Sequence, residues 1–119
     1  LRTGIATRIQ CEETAPAPDP ERSTAIFRSF QELLTNVARH AEAQRVRATL
    51  RRDDDAFELI VRDDGVGLRD EELNRPDALG LIGVRERALG FGGELHLTSR
   101  PGDGTTVTLR VPTSAPPGR

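Results

Sequence analysis

Gln31-Glu-Leu-Leu-Thr-Asn-Val-Ala-Arg-His-Ala41 is the stretch on which the reading of this chain turns. Glu32, Asn36 and His40 recur every four residues, a little over one helical turn, so a helix lines them up as one slowly drifting polar stripe. Ile26, Phe30, Leu33, Leu34 and Val37 form the apolar stripe that such a helix turns toward a core. A carboxylate, an amide and an imidazole beside a core-facing stripe are costly unless partners satisfy them. The polar stripe spans about 12 Å at ~1.5 Å of rise per residue, roughly the length of a nucleotide's phosphate tail with its metal. Taken alone, it is open to a metal site, a catalytic cluster or a polar accident.

Outward from this helix the elements alternate in type. Asp19-Pro20 is a helix start, with Asp as N-cap and Pro at the first helical position, and the helix is expected to run to Ala41 or Glu42. Before it, residues 3–11 read as a strand, followed by a Pro/Ala-rich connection over 12–19. After it, Val46, Ala48 and Leu50 alternate with Arg47, Thr49 and Arg51, and Phe57, Leu59 and Val61 alternate with Glu58, Ile60 and Arg62. These two strands form a hairpin around Asp53-Asp54-Asp55. Residues 68–79 are polar, with one short helix near Asp70–Leu73, and read as a mobile loop. A second helix follows Gly80-Leu-Ile-Gly83, with Val84, Ala88 and Leu89 inward and Arg85, Glu86 and Arg87 mostly outward. Gly90 or Gly92 ends it. Leu95 and Leu97 mark a strand, Pro101-Gly-Asp-Gly104 a turn, and Val107, Leu109 and Val111 the returning strand. Hairpins dominate this order. The expected fold is therefore α+β, a two-layer α/β sandwich whose mostly antiparallel sheet carries its helices on one face. Residues 1–112 form one domain, and 113–119 a Pro-rich tail expected to be disordered.

Composition removes several chemistries. The 119 residues carry a net charge of -2, one cysteine and four Phe with no Trp or Tyr. A single Cys11 allows neither an internal disulfide nor a cysteine-based zinc site. Without a basic block or stacking aromatics, no nucleic-acid partner is expected. No stretch approaches the ~20 apolar residues of a membrane span, so no direct membrane contact is expected. The start at Leu1, running at once into a strand, suggests a domain excised from a longer protein. The 17 basic residues are all Arg. That excludes a P-loop lysine, a Schiff-base lysine and a kinase-type strand lysine. Phosphate handling would have to rest on arginine, backbone N–H groups, helix N-termini or a metal.

Two glycine elements carry further chemistry. In Asp63-Asp-Gly-Val-Gly67 the glycines let the backbone turn and approach a ligand, while Asp63 closes a rigid strand. Its carboxylate only accepts hydrogen bonds, which suits the exocyclic amine of adenine. By itself the segment is weak evidence and reads first as a plain Asp-Gly turn. Gly80-Leu81-Ile82-Gly83, ahead of a helix, suits either a phosphate cradle or a hinge of the adjoining loop, and the two are compatible. Thr105 opens the last strand, where it serves as a β-branched strand residue or, through a water, as a partner of Asp63. Asn36 is a poor zinc ligand, but its amide oxygen suits magnesium, which keeps waters and substrate phosphates. Glu32 fits a base or a group orienting a metal-bound water. His40 is equally a helix-end histidine near the C-terminal dipole.

Together these segments resemble the ATP-binding catalytic domain of sensor histidine kinases, in the GHKL superfamily they share with gyrase, Hsp90 and the MutL proteins. Glu32–Ala41 resembles the N box, Asp63–Gly67 the G1 box, Gly80–Gly83 the G2 box, and Gly104–Pro112 the closing strand. The resemblance covers roughly residues 4–112. Gly80-Leu-Ile-Gly-Val-Arg-Glu-Arg-Ala88 further resembles the subfamily paired with helix-turn-helix response regulators. The resemblance implies the Bergerat ATP-binding fold, with ATP and Mg²⁺ as cofactors. It implies that Asn36 holds the metal, Arg39 and His40 contact phosphates, and Glu32 is the catalytic base or water-orienting group. Asp63, with Gly65, Val66, Gly67 and Thr105, would bind the adenine end, and Gly80, Leu81, Gly83 and Val84 would also contact the nucleotide, under an ATP lid at 68–79. The implied partners are ATP or ADP, a phosphoaccepting dimerisation domain of the same cytoplasmic kinase, and indirectly a response regulator. The phosphoaccepting histidine lies on another domain in this family, and neither His40 nor His96 has such a context. Asp64 departs from the frequent Asn of the G1 box and is expected to point outward. Two alternatives remain: an anti-sigma-factor-type serine kinase with the same boxes, and a degenerate domain that only binds a partner.

Overall fold

The computed structural model describes residues 5–11, 18–75 and 78–113, and only the backbone of His40, Ala41 and Leu79. The connection at 12–17 and the tail at 114–119 lie outside the described residues. The elements run β1 (Ala6–Cys11), α1 (Pro20–Asn36), β2 (Arg45–Arg52), β3 (Ala56–Asp63), α2 (Asp70–Leu73), α3 (Ile82–Gly90), β4 (Glu94–Ser99) and β5 (Thr105–Pro112). The strands form one sheet in the order β1-β2-β3-β5-β4. β1 pairs in parallel with β2, and all other neighbours are antiparallel. This is the mostly antiparallel two-layer arrangement expected from the pattern of hairpins.

Period-two patterning builds the core. Phe57, Leu59 and Val61 of β3 and Val107, Leu109 and Val111 of β5 point to the same face and are buried. Ile26, Leu33 and Val37 from the long helix, with Val84 and Ala88 from α3, close over that face. At its start α1 is held as read: the Asp19 side chain accepts the Arg22 N–H at 2.9 Å, and Pro20 stands in the first helical position. Arg22 then donates to the Pro112 carbonyl at 2.6 Å and lies over the Phe91 ring at 5.0 Å. One side chain thus ties the first helix to the last strand and to the end of α3.

The end of α1 differs from expectation. The α-helix stops at Asn36, and Val37–Ala41 forms a π-helical turn before Glu42 takes a positive φ of 50°. Bonding from i to i+5 fits more residues into each turn than α winding does. The four-residue stacking therefore holds from Glu32 to Asn36 and is not continued to His40. The left-handed Glu42 then reverses the chain toward β2, within three residues of its start at Arg45. At the other end of the chain, the Thr113 N–H donates to the Asp55 carbonyl at 2.8 Å, so backbone pairing extends one residue past β5.

Candidate functional site

Three inward-facing polar residues end three adjacent strands. Asp63 on β3 pairs with Thr105 on β5, and Thr105 pairs with Ser99 on β4. Each occupies a position that the alternation of its strand directs toward the core, and all three are buried. Asp63 accepts the Gly65 N–H at 2.8 Å. Burial pushes its carboxyl above the ordinary aspartate range, and the backbone N–H groups of Gly65 and Thr105 partly oppose that rise. Asp64 points away, as expected: its Oδ1 accepts the N–H groups of Gln44 and Arg45, each at 2.9 Å. These backbone bonds, that of Arg45 foremost, hold its carboxyl below the usual range.

Two residues of this row, Asp63 and Thr105, line a cavity. Asp63, Thr105 and Gly67 line it beside Asn36, Leu33, Val37, Val61, Leu68, Leu81 and Val107. A carboxylate among apolar walls is a hydrogen-bond acceptor suited to a ring that carries an amine. The glycines of this loop are there for close approach. A Cβ on Gly67, at φ +72°, would lie 1.9 Å from the Arg100 carbonyl oxygen. A Cβ on Gly104, at φ +75°, would lie 2.1 Å from that of Asp63. The Gly102 N–H donates to the Val66 carbonyl at 2.7 Å, so the loop after β3 and the β4–β5 turn interlock as one body.

Asn36 faces a second, open groove as well. Arg28, Gln31, Glu32, Thr35, Arg39, Gly80 and Arg87 line it with Asn36. Three guanidinium groups against one carboxylate make it cationic, a setting for phosphate oxygens. Among the described residues Asn36 alone lines both spaces, and so stands at their junction. Arg87 is not an outward charge, as its helical position suggested. Its Nη2 donates to Glu32 Oε1, and its Nε donates to Ser29 Oγ at 3.3 Å. Gly83 stands in the first turn of α3, where its missing side chain faces the Glu32 carboxylate; a Cβ there would lie 3.4 Å from Oε2. Glu32 is therefore held by α3.

The remaining expected residues are distributed more widely. Gly65 is buried and donates to Asp63, whereas Val66 is exposed. Leu81 is buried in the cavity wall, and Val84 is fully buried in the core beneath it. Gly80, at φ +66°, reaches the groove. His40 lies in the π-helical turn, and its side chain is outside the described ones. Among the described residues no three His, Cys, Asp or Glu side chains gather as a metal cage. The metal-type donor at the junction is the Asn36 amide oxygen. One neutral oxygen suits a magnesium ion that takes its other ligands from phosphates and water.

Residues 21–115 match the family of histidine kinase-, DNA gyrase B- and HSP90-like ATPases. The chain belongs to this family. Its ATPase domain is the type found in sensor histidine kinases. The sensor histidine kinase MctS of Rhizobium johnstonii is 36% identical over 117 residues, covering 96% of this chain and 25% of that protein. The signal transduction histidine-protein kinase/phosphatase DegS of Brevibacillus brevis is 33% identical over 88 residues, covering 74% of this chain and 22% of that protein. The chain thus spans a quarter or less of the curated relatives it matches. Among solved structures, the blue-light activated histidine kinase EL346 of Erythrobacter litoralis superposes with a TM-score of 0.75 at 29% identity, over 95% of this chain and 36% of that one.

Within this ATPase domain, two features escaped the sequence reading. Ser99 was one, although a lone polar residue in the inward register of Leu95 and Leu97 was its visible signal. The Arg87–Glu32 pair was the other; helical spacing placed Arg87 on α3 but not which side of α1 it meets.

Proposed function

We propose that this ATPase domain binds Mg-ATP with its adenine against Asp63 and its phosphates in the arginine groove, and that in the complete protein it serves phosphoryl transfer to a histidine. The observation that carries this is the position of Asn36, which joins the slot ending on a carboxylate to the groove rich in guanidinium groups. Asp63 accepts the adenine amine, with Thr105 assisting through water. Arg39, His40 and the backbone at Gly80 and Gly83 meet phosphate oxygens. Asn36 would hold the magnesium ion, which supplies charge neutralisation on the transferring group. Glu32, oriented by Arg87, takes the proton released by the attacking imidazole or positions the group that does so. The γ-phosphoryl group passes to an imidazole nitrogen and ADP leaves, so catalysis is chiefly positioning and electrostatics.

The acceptor histidine belongs to a separate dimerisation domain of the same kinase, from which a response regulator takes the phosphoryl group. The setting we propose is the cytoplasm, where the sensor kinases that the motifs resemble carry this domain. No helix among the described residues is long and apolar enough to cross a membrane. Isothermal titration with ATP, ADP and GTP, each with and without Mg²⁺, tests the reading. Tight ATP and ADP binding, strengthened for ATP by Mg²⁺ and absent for GTP, is the expected result. Equal affinity for GTP, or none for any nucleotide, refutes it.

A further inference from the structure

The Ser99 hydroxyl has three neighbours and one proton. Its oxygen accepts the Leu68 N–H at 2.7 Å. It stands 3.0 Å from the Gly104 carbonyl oxygen and 2.8 Å from Thr105 Oγ1. A carbonyl carries no proton, so the contact with Gly104 requires Ser99 to donate there. The Ser99 proton is then committed, and the contact with Thr105 requires the Thr105 hydroxyl to donate to Ser99. Ser99 is buried, so turning either proton elsewhere gives up one of these bonds.

The consequence lies in the cavity. Thr105 lines it beside Asp63, and with its only proton directed at Ser99 it shows the cavity lone pairs alone. An ionised Asp63 shows lone pairs as well. We propose that Ser99 is a positioning residue that sets base specificity, by locking the Thr105 hydroxyl so that the polar end of the slot only accepts. Such an end takes a 6-amino purine, directly or through a water that donates toward it. It offers no donor to the 6-oxo group of guanine or hypoxanthine. Ser99 also accepts from the first residue of the expected lid, so base discrimination and lid anchoring share one hydroxyl. This inference rests on the reading of the slot as the adenine site.

Binding of ATP and of inosine triphosphate, which differs at the 6-position, is the test on the intact chain. Wild type is expected to prefer ATP. Ser99→Ala frees the Thr105 hydroxyl to rotate and donate, and the ATP-to-ITP affinity ratio is expected to fall about tenfold, the scale of one hydrogen bond. Ser99→Thr, which restores a hydroxyl, is expected to recover most of the ratio. Thr105→Val removes the rotor, and adding Ser99→Ala to it is expected to leave the ratio where Thr105→Val put it. An unchanged ratio in Ser99→Ala overturns the proposal. Should that variant not fold, NMR of the wild-type chain decides. A Thr105 hydroxyl proton directed at Ser99 supports it, and a Ser99 proton directed at Thr105 overturns it. Failure of the wild type to bind ATP sinks the adenine reading itself, a result distinct from ATP binding with an insensitive ratio.

Discussion

At Asp63 the proposed role in binding and the requirement of stability conflict. Burial raises its carboxyl pKa, so the native state holds a proton that the unfolded chain, near 3.8, has already released. Its contribution is therefore favourable at low pH and is lost as pH rises through the folded value. At neutral pH the ionised group is a cost, which the proposed role in nucleotide binding would explain. Asp63→Asn is accordingly expected to abolish measurable ATP affinity in calorimetry while leaving the melting temperature at pH 7 equal or higher. A clear fall in melting temperature would show that the carboxylate is structural. In the wild type, affinity for ADP should fall on acidification, with a midpoint above the 3.8 of an ordinary aspartate. The Arg87–Glu32 pair makes the opposite prediction. With side-chain exposures of 26% and 43%, it is worth no more than a surface pair, about 0.2–1 kcal/mol. Arg87→Ala should thus barely shift the melting temperature, yet lower the rate of phosphoryl transfer to a supplied dimerisation domain more than it weakens ADP binding.

Elements meet through the loop after β3 and the β4–β5 turn. Gly67→Ala places a methyl group against the Arg100 carbonyl at a positive φ. The dihedral alone costs about 1–3 kcal/mol, before the clash. Chemical denaturation should show a loss of at least that size, with nucleotide affinity falling alongside. Gly80→Ala has the same sign of φ but would meet nothing within 4 Å among the described residues, so its loss should be limited to the dihedral term. On the opposite side of the sheet, Arg110 donates to Asp53 at 2.9 Å and holds its carboxyl at about 2, helped by the N–H groups of Asp55 and Ala56. This stabilisation is present above the ordinary aspartate range and disappears as pH falls through about 2. Asp53→Asn should therefore flatten the acid limb of the stability profile between about 4 and 2. The hairpins, both long helices and the Asp19 cap were legible because each follows from neighbours in sequence. The π-helical turn was not, because winding after Asn36 depends on how the chain enters β2.

At the scale of the whole chain, the proposed reading puts nucleotide and phosphoacceptor on separate domains. Ligand binding to the folded state alone should stabilise it by ~2.7 kcal/mol at a hundred times Kd, so saturating Mg-ATP should raise the melting temperature by several degrees. Incubated alone with γ-labelled ATP, the chain should incorporate no label, whereas a supplied histidine-bearing dimerisation domain should become labelled. Labelling of the isolated chain at His96, which is exposed on the open sheet face, would contradict the division of labour between two domains.

By itself the sequence determined the kind and order of the elements, the inward face of each strand and the residue types available for phosphate. These depend on periodicity, caps and composition, all of which act over a few residues. It also marked Asp63, Asn36 and Thr105 as one set through their motifs. Only the tertiary structure decided that Ser99 completes the row with Asp63 and Thr105, that Arg87 turns inward to Glu32, and that Asn36 stands where slot and groove meet. Those facts depend on strand register and on the packing of α3 against α1. Contacts between residues dozens of positions apart set both, and no local pattern records them.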